Sequence, residues 1–168
     1  MKYGETYEQL LTKLRYDLGL TSVAPAQYPH WWNTTITLYN KYMRSDNTIA
    51  YSRHVLNNVF YKAEKAEQLS GSALYQASSY IVRIPQDPAY IPHSQFVQQP
   101  EESLSNYFTL NTGDLVFKGE IDEEIDETVR GVRANDLLNK YMPDCFTVKT
   151  FSDNTGAAVA RHYYISGV

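Results

Sequence analysis

The densest group of ionisable side chains in the sequence is the run Glu120-Ile-Asp122-Glu123-Glu124-Ile-Asp126-Glu127. Paired carboxylates of this kind serve glycoside hydrolysis or hold a divalent cation. No glycine or asparagine stands at calcium-loop spacing within the run, so its plainest reading is a solvated acidic edge. The four histidines, His30, His54, His93 and His162, are scattered, and none forms a paired metal spacing such as His-Glu-x-x-His. Cys145, His162 and Asp153 supply the residue types of a nucleophilic triad. None of the local motifs that mark such enzymes surrounds them. The single cysteine lies within an apolar strand pattern, where a small buried hydrophobe is the ordinary role. Gly-rich phosphate loops, dinucleotide fingerprints and basic aromatic nucleic-acid motifs are all missing from the sequence. The expectation is therefore a protein without catalytic residues, metal or cofactor.

The 168 residues suit one domain with a moderate core, and 43% of them are hydrophobic. A net charge of −4 creates no general attraction to a phosphate backbone. Fifteen tyrosines stand against six phenylalanines. Tyrosine suits half-buried strand faces and contact surfaces, because its ring is apolar while its hydroxyl still needs a partner. No apolar stretch is long enough to span a bilayer, and Glu5, Glu8 and Asp17 occupy the N-terminal region where a basic leader would be. A protein made in a cytoplasm, with no membrane partner, is expected.

Positioning elements follow from the periodicity. Tyr7, Leu10, Leu11, Leu14 and Leu18 share one face of a helix over Glu5–Leu18, closed by Gly19. Pro25 and Pro29 make the stretch to His30 an extended linker, so residues 1–30 form an appendage that must find a surface to cover. From Thr34 the period becomes two, and Thr34–Tyr42 with Ala50–Tyr61 reads as a hairpin. Trp31 and Trp32 stand at its entry, as a core or rim anchor. Lys62–Ser70, with its mixed lysines and glutamates, reads as a short helical excursion or, preferably, a solvated loop, followed by a strand over Ser79–Ile84. The proline-punctuated segment 85–106 reads as a long loop, of the kind that is often functional. Strands are expected at Leu104–Leu110 and Leu115–Glu120 around the turn at Asn111–Asp114, then a short helix over Asn135–Tyr141 capped by Asn135. Two final strands, Cys145–Phe151 and Arg161–Ile165, complete a mainly β chain. A small antiparallel β-barrel or bent sheet, with one short internal helix and an N-terminal flanking helix, is the expected fold over 31–168.

The order of Ile36-Thr-Leu-Tyr-Asn40, Val55-Leu-Asn-Asn-Val-Phe60, Tyr80-Ile-Val-Arg-Ile-Pro85, Gly113-Asp-Leu-Val-Phe-Lys-Gly-Glu-Ile121, Asp136-Leu-Leu-Asn-Lys-Tyr141 and Ser152-Asp-Asn154 resembles the head-closure, or stopper, proteins of long-tailed bacteriophages, also labelled minor capsid proteins. That resemblance implies a small β-barrel with a loop projecting into a central channel. It implies assembly into a ring with copies of itself, with a portal or adaptor protein above, a tail-completion or tail-terminator protein below, and packaged DNA passing non-specifically. The location implied is the head–tail junction of a virion, and no reaction is involved. On this analogy the segment 85–106, with Tyr90, Ile91, Pro92, His93 and Phe96, is the projecting loop or an inter-subunit contact. Glu120, Asp122, Glu123, Glu124 and Asp126 would be an acidic edge lining the channel and repelling DNA. The helical face of Tyr7, Leu10, Leu11, Leu14 and Leu18 would pack on a neighbouring subunit. A tail-completion or other tail structural protein is the alternative within the same class. A carbohydrate-binding module, using Trp31, Trp32 and exposed tyrosines as stacking platforms, is the alternative of another class.

Overall fold

Alternating apolar residues along Thr34–Val59, Tyr80–Ile84 and Tyr163–Ile165 give strand faces that need a shared interior, and a closed barrel supplies it. In the computed structural model, which describes residues 10, 11, 13, 14, 18, 28–70 and 73–168, the strands are β1 (Thr34–Met43), β2 (Ile49–Ser70), β3 (Ala73–Pro85), β4 (Leu115–Lys118), β5 (Cys145–Asn154) and β6 (His162–Gly167). They close in the order β1-β2-β3-β6-β5-β4. Every neighbouring pair is antiparallel, including the closing pair, in which Ile36 faces Lys118 and Tyr39 faces Leu115. Mainly β, small, antiparallel and barrel-shaped, the fold is the one the sequence implies.

Two apolar clusters hold the barrel. Inside lie Ile36, Leu38, Leu56, Val59, Val82, Ile84, Val116, Phe146, Val148 and Ile165, with Phe108 and Leu110 reaching in from the chain before β4. Outside, the alternate residues Tyr39, Leu115, Phe117 and Cys145 form a second cluster with Ile121, Ala134 and Leu137. A helix over Ala134–Tyr141 covers that outer face. Each fully buried leucine or phenylalanine contributes about 1.5–3 kcal/mol, so both wall faces stabilise the fold. The barrel also closes tightly at β6. A Cβ on Gly167 would stand 2.0 Å from the Thr147 carbonyl oxygen, so only glycine fits there.

Three local readings are corrected. Lys62–Ser70 is not a loop but the continuation of β2, which runs for 22 residues. Leu104–Leu110 is not a strand, because Glu101–Asn106 winds into a 3-10 helix before the isolated bridge between Tyr90 and Phe108. The helix of the outer cluster begins one residue earlier than expected, with Arg133 rather than Asn135 at its cap. There the Asp136 carboxylate accepts the Gly131 amide at 2.8 Å and the Arg133 amide at 3.3 Å. A short helix, α1 (His93–Phe96), precedes this one, α2 (Ala134–Tyr141). Of the N-terminal helix, Leu10, Leu11, Lys13 and Leu14 are helical, while Leu14 and Leu18 are exposed. Tyr7 and the linker over 19–27 lie outside the described residues.

Candidate functional site

The part of the molecule that leaves the barrel is a ribbon made from the same two strands as its wall. Pairing of β1 with β2 ends at Thr34 and Val59, and pairing of β3 with β6 ends at Tyr80 and Gly167. Pairing of β2 with β3 continues from Ala63 and Tyr80 out to Ser70 and Ala73. Residues 64–70 therefore extend roughly 20 Å past the wall at the ordinary strand rise. The repeat Lys-Ala-Glu-Lys-Ala-Glu67 offers no apolar face to bury, and residues 62–65 are exposed. Backbone pairing alone makes this segment a strand.

The base of the arm is anchored by rings. Tyr80 stacks on Phe146, with centroids 5.1 Å apart and planes 5° from parallel. The Tyr80 hydroxyl donates to the Pro143 carbonyl at 2.7 Å. Beside it, the Lys118 ammonium lies 5.5 Å from the Tyr61 ring centroid. The Tyr61 hydroxyl is buried with no hydrogen-bond partner among the described residues, and burial holds its pKa far above the usual phenol value. The base of the arm is therefore fixed at this tyrosine pair.

The segment 85–106, expected as the projecting loop or an inter-subunit contact, packs one side against the body. Tyr90 lies 4.0 Å from the Tyr163 ring and also stacks on Phe151. The Ile91 amide donates to the Phe108 carbonyl at 3.0 Å. Pro92 is exposed and starts α1, and Phe96 is wholly buried. His93 is half-buried, with Nδ1 left without a hydrogen-bond partner among the described residues. At the far side of this cover, Glu101 accepts from the Tyr42 hydroxyl at 2.9 Å and from Arg44 at 2.7 Å. The segment is a cover tied to the β1–β2 hairpin, and the projecting element is the arm.

The acidic run is a strap across the outer face of the barrel. Ile121 is buried there, its amide donating to the Thr37 hydroxyl at 2.9 Å. The Tyr39 hydroxyl donates to the Glu123 carbonyl, and Arg53 Nε to the Ile121 carbonyl, both at 2.5 Å. Lys140 and Tyr141 hold the Glu123 carboxyl below the usual carboxylate range. Asp126 is lowered in the same way by the side-chain and backbone donors of Thr128. Glu120, Asp122 and Glu124 point into solvent. Arg53 lies 3.5 Å from Asp122 and 3.9 Å from Glu120. Carboxylates engaged in turns, caps and ion pairs are poor acid–base partners for one another. Among the described residues no group of three or more potential ligands could hold a metal ion.

The cysteine triad fails on distance. Cys145 opens β5 opposite Phe117, whereas Asp153 and Asn154 end the same strand opposite Tyr163 and His162. Strand rise puts Cys145 roughly 30 Å from His162. Burial also pushes the Cys145 thiol up to about 11, so it is a thiol and not a nucleophile. His162 instead packs edge-on against Trp32 at 5.6 Å. Trp32 is 6% exposed and Trp31 57%, so the pair does not form a two-ring stacking platform.

One buried polar cluster escaped the sequence reading. Asp114, 1% exposed, accepts the Lys41 amide at 2.9 Å, the Asn111 amide at 2.8 Å and the Asn40 side-chain amide at 2.9 Å. Asn40 also donates to the Thr109 carbonyl at 2.7 Å and accepts the Thr109 amide at 3.1 Å. Gly113, at φ +95°, makes the turn that aims the carboxylate inward. Burial raises Asp114 to about 6 despite these donors. The cluster is a staple between β1 and the end of the cover, and its signal in the sequence was a polar Asn40 in phase with Ile36 and Leu38.

Residues 31–168 match the model of a family of unknown function, DUF6751, and the chain belongs to that family. No curated protein and no solved structure matches the chain.

Proposed function

We propose that this protein is a structural component of a tailed-phage neck, a stopper that forms a ring between portal or adaptor and tail, closes the filled head and offers the tail a docking surface. The observation that carries the reading is the arm, a two-stranded ribbon standing out from a closed barrel. Support also comes from the ordered strand phrases that resemble stopper proteins, and from the Glu123 and Asp126 carboxylates and the Cys145 thiol being engaged in structure. In this reading the barrels make the ring wall, and the arms, not the segment 85–106, reach the channel and withdraw when the tail signals. The exposed Glu120, Asp122 and Glu124 would keep passing DNA from adhering, since like charges repel.

Imaging intact particles at the head–tail junction and fitting the barrel tests the proposal. The expected result is a ring between portal and tail with arms directed to the axis. Density confined to the tail would transfer the protein to tail completion, and its absence from particles would overturn the neck reading.

A further inference from the structure

The two edges of the arm are unlike. Beyond Val59, the free edge of β2 carries Lys62, Glu64, Lys65 and Glu67. Beyond Tyr80, the free edge of β3 reads Ala73-Leu-Tyr-Gln-Ala-Ser-Ser79, with no charge, proline or glycine. Among the described residues no strand pairs with that edge. Proteins guard exposed edges with charges, lysine above all, because unpaired amides and carbonyls recruit other strands. Guarding one edge of a ribbon and leaving its partner bare directs pairing to the bare edge.

We infer that the arm is a dimerisation strand: the free edge of β3 pairs with the same edge of a second copy. A charged strand would have to give up hydration against this neutral edge, whereas a second Ala73–Ser79 brings no charge to bury. Parallel pairing would stack two barrels at one end of the new sheet, so the antiparallel arrangement is assigned. A two-fold axis through an antiparallel pair sets one residue opposite itself, and the centre of the free run is Gln76. Tyr75 then faces Ala77 of the second copy, and Leu74 faces Ser78. The product is a four-stranded sheet, β2-β3-β3-β2, with both outer edges charged. Two-stranded ribbons are marginal in water, and three or more strands are needed for independent stability, so pairing also supplies what the arm lacks. This inference concerns the free chain and is independent of the neck reading.

Sedimentation of the full chain over a concentration series tests it, together with single-cysteine variants. Wild type should show a monomer–dimer equilibrium. Ala77→Lys should shift it to monomer with an unchanged melting temperature, and Glu64→Gln should leave it in place. Under oxidised glutathione, Gln76→Cys should form a disulfide dimer while Glu64→Cys stays monomeric; the native Cys145 is buried. A wild type that remains monomeric at every concentration would overturn the inference. So would a dimer indifferent to Ala77→Lys, or equal cross-linking from both edges.

Discussion

The first and second halves of β2 are both strand and have different support. Over Ile49–Val59 the strand is paired with β1, itself paired to β4, and buries Leu56 and Val59 in the barrel. Over Lys62–Ser70 it is paired with β3 alone, and its described side chains are exposed. One strand can thus be scaffold at one end and appendage at the other. The switch falls where apolar alternation gives way to Lys-Ala-Glu.

The largest effect expected from this contrast is in the barrel interior. Phe146→Ala, which removes the ring beneath Tyr80, should cost about 3–5 kcal/mol in denaturant unfolding. A cost below about 1 kcal/mol would mean that the interior is not the source of stability.

Next come two buried titratable groups on the body that oppose each other. Asp114 is raised to about 6, so folding favours its protonated form; its contribution is fully present below the unfolded value near 4 and lost as pH rises through 6. His54 is lowered to about 4, chiefly by burial, and folding favours its neutral form; its contribution is present above 6.5 and lost as pH falls toward 4. Each is worth up to about 3 kcal/mol, with opposite sign, so they largely cancel between pH 4 and 6.5. Asp114→Asn should therefore make stability rise with pH across that window, and His54→Gln should make it fall. Unfolding free energies at pH 4.5 and 7 check both, and parallel pH profiles in the two variants would refute the opposition.

The smallest effect belongs to the arm. Replacing residues 64–79 by an Asn-Gly turn should close the hairpin at Ala63 and Tyr80 and move the melting temperature by only a few degrees, about 1 kcal/mol or less. A large loss would show that the arm is part of the folding unit.

What the sequence made legible follows the same division. Ile36 and Leu38, Tyr80 and Val82, and Tyr163 and Ile165 mark strands because barrel walls demand period two. The arm was hidden because Lys62–Glu67 has no apolar period, and its strand character comes from β3 across the ribbon. The outer cluster was half hidden too. Thr37 and Tyr39 read as the second face of β1, yet both are fully buried, because the strap and α2 arrive from far along the chain. Segment 85–106 read as a loop for its prolines, while Phe96 and Leu104 were the sign that it is packed. Asn40 and Asp114 were invisible as partners because a hydrogen bond across 74 positions leaves no local pattern.

Hydrogen exchange at residue resolution, at a dilution where the chain is monomeric, tests the division between body and arm most directly. The account predicts that amides of β1, of β2 up to Val59 and of β3 from Tyr80 exchange only through global unfolding. Those of 64–70 and 73–79 should exchange orders of magnitude faster, through opening of the ribbon alone. Equal protection along the whole of β2 would contradict it.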